Sequence, residues 1–181
     1  MLRHLSIAFR MAVVTIVALG LAYPFVITGA GQVAFPYAAN GSLARDAGGK
    51  VIGSHLIGQS FTSDRYFHGR PSASDYDGTR SGGSNLGPTS KKLAEDVATR
   101  AKAAGGAAPV DLLTSSGSGL DPDVSVASAL FQVPRVAKAR RLAEDAVRRL
   151  VEQHTSPRQL GFLGEPRVNV LELNLALDGK R

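Results

Sequence analysis

Residues 11–27 read MAVVTIVALGLAYPFVI, and this apolar stretch decides how the rest of the chain is interpreted. It opens a longer segment, residues 11–44, that contains no Asp, Glu, Lys or Arg. A helix of this length rises about 26 Å, close to the roughly 30 Å hydrocarbon core of a bilayer, and Arg10 can extend its charge to the headgroups. One central charge would cost about 2.5–3.5 kcal/mol, so the absence of any favours insertion. The stretch predicts a transmembrane helix over residues 11–28.

The charges that flank this stretch predict its direction. Arg3, His4 and Arg10 precede it, and the next cation along the chain is Arg45. Positive residues stay on the cytoplasmic side, so residues 1–10 are expected to form a cytoplasmic tail. The rest of the chain would then be exported across a bacterial inner membrane. The alternative is a cleaved signal peptide, which has the same charged start and apolar middle, but the apolar run is long for a signal and a retained anchor is favoured.

Composition limits the chemistry of the exported part, which is long enough to form one domain with a core. The chain has no cysteine, so disulfides, thiolate metal ligands and thiolate nucleophiles are excluded. Its formal charge is +6, of which Arg3 and Arg10 supply two, leaving +4 on the exported part. In an exported domain such a charge indicates solvated helix faces and contact with anionic lipid headgroups rather than nucleic acid.

Residues 29–40 are predicted to be an uncharged linker, and residues 41–181 to be one periplasmic α+β domain. Hydrophobic periodicity and turn residues predict a small mixed or antiparallel sheet covered by about three helices. The predicted strands are a hairpin over 42–58 and the segments 110–115 and 167–177; the predicted helices are 90–104, 121–132 and 134–153. The basic run in the last helix is expected to be a solvated face with i,i+4 pairs such as Arg140–Glu144.

The segment between the hairpin and the first predicted helix, residues 59–90, has neither a helix nor a strand period. A loop of this length inside a compact domain is uncommon and is typical of functional loops or of disorder. The segment contains Phe61, Tyr66, Phe67 and Tyr76. Because aromatic side chains rarely stay in solvent together, we expect this loop to pack against the rest of the domain.

No motif in the chain predicts catalysis or metal binding. Gly82 and Gly87 have the spacing of a phosphate-binding loop, but Pro88 stands where that loop needs a lysine. Gly117-Ser118-Gly119 lacks the third glycine of a dinucleotide loop and the spacing of a nucleophile elbow. The four histidines have no ligand spacing. The predicted transmembrane helix is also without ionisable residues, so its chemistry is limited to close packing through small side chains: Ala12, Ala18, Gly20 and Ala22.

Six strings, taken in order along the chain, resemble the C subunit of the Kdp potassium-transporting P-type ATPase. They are GSHLIGQSF (53–61), YFHGRPSASDYD (66–77), GGSNLGPTS (82–90), DLLTSSGSGLDPDVS (111–125), QVPRVAKAR (132–140) and LGEPRVNVLELNLAL (163–177). The N-terminal helix matches as well, so the resemblance covers essentially the whole chain. Six strings in this order are a specific signal for the family, whereas no single string would be.

The resemblance implies an accessory subunit of a complex that imports potassium into the cell at the expense of ATP. Its partners would be a channel-like subunit that holds the potassium path, a P-type subunit that carries the phosphorylated aspartate, and membrane lipid; nucleic acid is not expected. The partner subunits would handle ATP and potassium, so no cofactor is expected on this chain, which also lacks the D-K-T-G-T phosphorylation string. The expected role is to assemble and stabilise the pump, without catalysis.

Members of this family are also described as catalytic chaperones that raise the ATP affinity of the P-type subunit through a Ser-Gly-Ser-Gly region. The matching residues here are Ser116, Gly117, Ser118 and Gly119. The predicted topology places them on the exported side, opposite cytoplasmic ATP. The chain also departs from the family pattern after its LDP string, where DVSVASALFQ lacks the usual histidine and proline near the start.

On this resemblance, residues 59–90 and 114–135 are expected to dock on the exported face of the pump, while the transmembrane helix packs on transporter helices. The candidate contacts are Gln59, Tyr66, Phe67, Arg70, Asn85, Asp121 and Arg135. The competing interpretation is local folding, with polar side chains that hold loop backbone and aromatics that belong to the core. Two other functions stay open: a membrane-tethered hydrolase that uses Ser118, and a lipid- or polyanion-binding domain driven by the +4 charge.

Overall fold

The computed structural model describes residues 2–46 and 48–179. The chain divides into two compact units, with the boundary between Leu43 and Ala44. The fold class is α+β, as predicted, and helices occur in both units. Two small sheets are formed by residues of the second unit together with Leu43, the last residue of the first unit.

The first unit is built on one continuous apolar helix, Leu2–Ala34. It consists of α1 (Leu2–Thr15), a π-helical stretch (Ile16–Ala22) and α2 (Tyr23–Ala34). Its most apolar 18-residue window has a mean hydropathy of 2.2 and none of that window is buried, which makes it a candidate membrane span. Among the described residues it is the single helix of that kind.

This helix is longer than the predicted span of residues 11–28. Residues 2–10, predicted as a tail, are helical, and so are residues 29–34 of the predicted linker. The helix ends at Phe35, whose backbone (φ −138°, ψ 57°) lies outside the helical region, because the ring of Pro36 disfavours helical geometry in the preceding residue. A single further turn, α3 (Pro36–Ala39), follows.

The predicted hairpin is confirmed by β1 (Leu43–Arg45) and β2 (Val51–Ser54), which form a two-stranded sheet. Asp46 starts the turn, and its carboxylate accepts hydrogen bonds from the backbone N–H groups of Gly48 and Lys50, each at 2.9 Å. These bonds explain why an Asp/Gly turn forms here.

A second, three-stranded antiparallel sheet has the order β3-β5-β4, with β3 (Asp123–Ser125), β4 (Thr155–Ser156) and β5 (Arg167–Asn169). Val124 pairs with Val168 at its centre. The hairpin was predicted to join this sheet, but the two sheets are separate.

Residues 110–115 were predicted to be a strand, and this prediction is wrong. They begin with one helical turn, α5 (Val110–Leu113), which follows Pro109. The turn is held because the Asp111 carboxylate accepts hydrogen bonds from the backbone N–H of Ser125 and from the hydroxyl of Ser128. The pattern of apolar residues could not distinguish so short a turn from a strand.

The prediction of a strand over residues 167–177 is also wrong beyond its first three residues. Helix α8 (Val170–Leu177) begins directly after β5. Asn169 caps it, since its side chain accepts a hydrogen bond from the backbone N–H of Glu172 at 3.1 Å. Along this segment the valines occupy even positions (Val168, Val170) and the leucines odd positions (Leu171, Leu173, Leu175, Leu177). This change of parity reflects the change from strand to helix.

Helix α4 (Lys91–Ala103) matches its prediction, with Ser90 as the N-cap. The two later helices begin and end elsewhere. Helix α6 (Val126–Arg140) is capped by Ser125 and runs through Pro134, and α7 (Glu144–Gln153) is separate. The predicted break at Pro134 is wrong because buried residues on both sides of it, Val133 and Val136, keep one apolar face continuous.

The actual break lies at Arg141, which has a left-handed backbone (φ 58°) and ends α6. The N–H of Leu142 then bonds to the carbonyl of Ala137 at 3.0 Å, as in a Schellman motif. No glycine marks this position, so the break could not be predicted from local sequence. Because α7 starts after the break, the predicted Arg140–Glu144 helical pair does not form.

The core of the second unit lies where α6, α7 and α8 meet the three-stranded sheet. Its members are small or branched apolar side chains and one phenylalanine from residues 59–90, the irregular segment: Phe67, Val124, Ala129, Val133, Val136, Ala137, Val147, Val151, Val168, Val170 and Leu173. The segment predicted to pack by its aromatics therefore supplies a core residue.

Candidate functional site

Residues 59–90 contain no helix or strand, yet the segment is fixed to the domain by side chains from the helices. Phe67 is fully buried, and its backbone lies beside Asn174 of α8. Its N–H donates to Asn174 Oδ1 at 2.8 Å, and its carbonyl accepts from Asn174 Nδ2 at 3.0 Å. The side-chain amide thus supplies the partners that a neighbouring strand would otherwise give to buried backbone groups.

A second amide repeats this arrangement one residue further on. The N–H of His68 donates to Gln132 Oε1 at 2.8 Å, and Gln132 Nε2 donates to the carbonyl of His68 at 3.1 Å. Burial lowers the pKa of His68, and the positive charge of Arg135 lowers it further. The backbone of residues 67–68 is therefore held between α6 and α8. Because its pKa is lowered, the His68 side chain favours its neutral form.

Two arginines of α6 hold the start of the segment. Arg135 donates to the carbonyls of Asp64 and Tyr66 at 2.8 and 3.0 Å. Arg140 donates to the carbonyl of Arg65 at 2.6 Å and pairs with Asp178 at 2.8 Å, and its guanidinium lies 4.8 Å from the centre of the Tyr66 ring. The prediction of a solvated face is wrong for Arg140, whose side chain is only 7% exposed.

Arg70 and Asp121 form an ion pair at 3.2 Å, with both side chains partly buried. Asp121 also accepts a hydrogen bond from the N–H of Asp123 at 3.1 Å, and the hydroxyl of Tyr76 donates to the carbonyl of Arg70. Burial raises the pKa of Tyr76, and the charge of Asp121 adds to the rise. Arg70 Nε is buried without a hydrogen-bond partner among the described residues. The pair joins the irregular segment to the strand β3.

The Ser-Gly-Ser-Gly residues lie next to this pair and are held by the irregular segment through their backbone. The N–H of Ser116 donates to the carbonyl of Pro71 at 3.0 Å, and the N–H of Gly82 donates to the carbonyl of Ser118 at 2.8 Å. Ser72 Oγ donates to the carbonyl of Gly119 at 2.7 Å. Ser116 is buried, whereas Ser118 is exposed.

Two glycines of this contact have no room for a side chain. A Cβ at Gly119, whose φ is +68°, would lie 2.3 Å from Ser74 Oγ and 2.6 Å from the carbonyl oxygen of Gly82. A Cβ at Gly83 would lie 2.8 Å from the carbonyl oxygen of Gly117. Close approach of the two backbones therefore requires glycine at Gly119, within the Ser-Gly-Ser-Gly sequence, and at Gly83 of the facing segment.

The geometry around Ser118 does not favour a hydrolase. Its hydroxyl accepts a hydrogen bond from the N–H of Leu120 at 3.1 Å. In the part of the chain that the structure describes, no histidine or carboxylate side chain hydrogen-bonds to this hydroxyl, as the general base of a serine nucleophile would.

An open cleft of about 530 Å³ lies beside the Arg70–Asp121 pair. It is lined by four carboxylates and two arginines, besides smaller side chains: Asp111, Asp121, Asp123, Glu165, Arg70 and Arg167. Burial raises the pKa of Asp123, although Arg167 at 2.8 Å opposes the rise. Within the described residues, no group of His, Asp and Glu side chains has metal-binding geometry.

The structure brings several of the predicted contact residues into one region, where they bind the domain itself. Phe67 belongs to the core, Tyr66 and Arg135 hold the start of the irregular segment, and Arg70 and Asp121 pair with each other. The remaining two are apart from these contacts. Gln59 Nε2 donates to the carbonyl of Ile52 at 2.9 Å, and Asn85 is exposed with a left-handed backbone (φ 53°).

The small residues of the apolar helix do not form one continuous α-helical row. Ala12 lies in α1, while Ala18, Gly20 and Ala22 lie in the π-helical stretch. There the N–H of Tyr23 bonds to the carbonyl of Ala18, five residues back. Nothing in the sequence signalled this change of helix type.

Sequence reasoning missed the two amides that hold the irregular segment, Asn174 and Gln132. A polar residue inside an apolar helical stripe, such as Asn174 between Leu173 and Leu177, is the signal that could have found them. It also missed an exposed apolar loop near residues 158–165, where Leu160 and Phe162 are 83% and 68% exposed.

Comparison with known proteins gives a consistent result over nearly the whole chain. The family model described as KdpC, K+-transporting ATPase, c chain, matches residues 5–179. A relative from Gloeobacter violaceus is 55% identical over 99% of this chain and 98% of its own length. One from Gemmatimonas aurantiaca is 55% identical over 98% and 94%. One from Rhodopseudomonas palustris is 56% identical over 93% and 95%.

All three relatives carry the description potassium-transporting ATPase KdpC subunit. The strings on which the resemblance rested lie within the matched residues, and the matched range also includes most of the apolar helix. The chain therefore belongs to the KdpC family, the c chains of K+-transporting ATPases.

Proposed function

We propose that this chain is a non-catalytic accessory subunit that assembles and stabilises an ATP-driven potassium import complex. The observation that carries the proposal is the family match over residues 5–179, which includes both the apolar helix and the second unit. The partners are the channel-like potassium-translocating subunit and the P-type ATPase subunit of the same complex. Those partners bind potassium and ATP.

The apolar helix Leu2–Ala34 is the membrane anchor, and it packs on transporter helices through Ala12, Ala18, Gly20 and Ala22. The positive residues before its apolar centre support an N-terminus in the cytoplasm and a second unit outside the inner membrane. The first unit is residues 1–43 and the second unit is the exported α+β domain.

The contacts of the candidate residues favour a positioning role for them. Because Phe67, Arg70, Asp121 and Arg135 bind their own domain, they shape the exported surface and do not have to touch a partner themselves. Gln59, Tyr66 and Asn85 complete that surface. Nucleotide binding at Ser116, Gly117, Ser118 and Gly119 stays a prediction; the close backbone contacts give Gly119 a role in folding.

Potassium-stimulated ATP hydrolysis by membranes that contain the other subunits tests the non-catalytic role. Membranes with this chain should hydrolyse ATP, membranes without it should not, and the Ser118→Ala variant should be as active as the parent. Loss of hydrolysis in Ser118→Ala with the complex intact would contradict the proposal, because a hydroxyl would then take part in the chemistry.

A further inference from the structure

The apolar helix changes its hydrogen-bond register at its centre, from π-helical to α-helical. In the π-helical stretch the bonds run five residues back, as from the N–H of Tyr23 to the carbonyl of Ala18. Helix α2 begins directly afterwards, with Ala22 as its N-cap. The carbonyl of an N-cap residue accepts the first α-type bond, from the N–H four residues further on. The carbonyls of residues 19–21 therefore lie between the two registers.

A single backbone donor is available for these three carbonyls. The N–H groups that follow Tyr23 belong to residues 24 and 25, and residue 24 is a proline, which has no N–H. The N–H of Phe25 can serve one carbonyl. In the described helix Leu2–Ala34, two carbonyls among residues 19–21 are thus without a backbone partner.

Short hydroxyl side chains of the same helix cannot replace the missing donors. Ser and Thr bond to backbone carbonyls three or four residues earlier in a helix. A hydroxyl for the carbonyls of residues 19–21 therefore has to come from positions 22–25, which are Ala, Tyr, Pro and Phe. The Tyr23 hydroxyl is at the far end of a rigid ring, which points away from its own backbone. The donors have to come from outside this helix.

The depth of the carbonyls limits what those donors are. Residues 19–21 lie at the middle of the predicted 11–28 span, about 13 Å from either end. Hydrocarbon has no hydrogen-bond donor, so an unsatisfied carbonyl is strongly unfavourable there, and the headgroups lie at the bilayer surface. A buried water typically makes about three hydrogen bonds, and two carbonyls supply two of them. A protein side chain is the remaining donor.

The helix surface at this level admits a close neighbour. Ala18, Gly20 and Ala22 are small, and small residues let the backbones of two transmembrane helices approach each other. Besides the backbone of its own helix, a Cβ added at Gly20 would meet Ile16 Cγ2 alone, at 3.8 Å. The space beside Gly20 is therefore open to a side chain from a second helix.

We propose that the unpartnered carbonyls of residues 19–21 accept hydrogen bonds from a hydroxyl or amide side chain on a transmembrane helix of another subunit of the same complex. The inference deepens the proposed function and rests on it. Asn or Gln fits best, because its side-chain NH₂ group has two donors, one for each carbonyl. Since the acceptors occupy one level of the helix, the bonds fix the depth of the anchor relative to its neighbour.

Electron cryomicroscopy of the full chain within its complex in lipid nanodiscs tests the inference. We expect a side-chain nitrogen or oxygen of another subunit within about 3.2 Å of a carbonyl oxygen of residues 19–21. Hydrocarbon alone, water alone or a second copy of this chain at that level would overturn the inference and leave the proposed function standing. If the chain is missing from the purified complex, the proposed function fails and the inference fails with it.

A double-mutant cycle gives a readout that a merely structural role of Pro24 would not move. The donor side chain on the neighbouring helix is replaced by an apolar one of the same shape, and dissociation of the chain is timed during detergent washing. With the parent chain, we expect this loss to speed dissociation about threefold to tenfold. With Pro24→Ala, which restores the N–H of residue 24 and permits an α register throughout, the change should be less than about twofold.

Pro36→Ala is the matched control, because Pro36 starts α3, beyond the end of the apolar helix. In this variant the loss of the donor should speed dissociation as much as it does with the parent chain. An equal effect of the donor with the parent chain and with Pro24→Ala would contradict the inference, since the donor would then serve some group other than the carbonyls that Pro24 leaves unpartnered.

Discussion

Asn174 is the residue whose side chain does most to place the irregular segment, since it bonds to both backbone groups of Phe67. Asn174→Leu keeps the volume but leaves a buried N–H and a buried carbonyl without partners. We expect the free energy of unfolding to fall by about 2–4 kcal/mol. Chemical denaturation followed by circular dichroism measures this, with Gln153→Leu on an exposed helix position as the control. Equal stability of the two variants would show that the amide is dispensable.

Gly119 and Gly117 form a matched pair, two residues apart in the Ser-Gly-Ser-Gly sequence. Gly119→Ala would place a Cβ 2.3 Å from Ser74 Oγ at a positive φ, whereas a Cβ at Gly117 meets nothing within 4 Å. We expect Gly119→Ala to cost about 2–4 kcal/mol and Gly117→Ala less than about 1 kcal/mol. Thermal unfolding distinguishes them. Similar melting temperatures for both variants would contradict a structural role for Gly119.

At the scale of elements, the irregular segment packs against α6. The His68 side chain makes the stability of this contact depend on pH. Burial and Arg135 lower the pKa of His68 below 6.5 in the folded chain. The unfolded chain therefore binds this proton at a higher pH, and stability decreases as the pH falls from about 6.5 towards the folded pKa. His68→Gln should lose less stability than the parent between pH 7 and pH 5, measured by urea denaturation.

The same pair of proteins at pH 8 provides the reference for that experiment, because His68 is neutral there in both folded and unfolded chains. If parent and variant lose the same stability on acidification, burial does not lower the pKa of His68. The contact between the irregular segment and α6 would then be looser than it is in the structure.

Elements with strong local signals could be predicted from the sequence. Asp46 and its glycines marked the hairpin, Ser90 marked the start of α4, and the uncharged run marked the apolar helix. The elements that were mispredicted depend on tertiary contacts. Residues 170–177 alternate like a strand but form a helix once Asn169 caps them, and Arg141 breaks a helix without any glycine.

The candidate site shows the same division between local and long-range information. The aromatics of residues 59–90 predicted packing, and Phe67 is in the core as a result. What those residues touch could not be read from spacing, because Asn174 and Gln132 lie 107 and 64 residues away from the backbone they bind. The contact residues proposed from the sequence therefore include several that bind the domain itself.

The topology of the whole molecule can be measured directly because the chain has no cysteine of its own. We expect Lys138→Cys, on the exposed side of α6, to react with a membrane-impermeant maleimide in intact cells. His4→Cys should react only after lysis, since it precedes the apolar centre of the helix. The reverse pattern would place the second unit in the cytoplasm.

Assembly of the complex is the central role that we propose for this chain, and it can be measured by co-purification. A tag on the channel-like subunit is used to purify the complex from membranes with and without this chain, and the P-type subunit that accompanies it is quantified. We expect the P-type subunit to co-purify when the chain is present and to be lost when the chain is absent. Equal recovery of the P-type subunit in both preparations would contradict the claim that this chain assembles the pump.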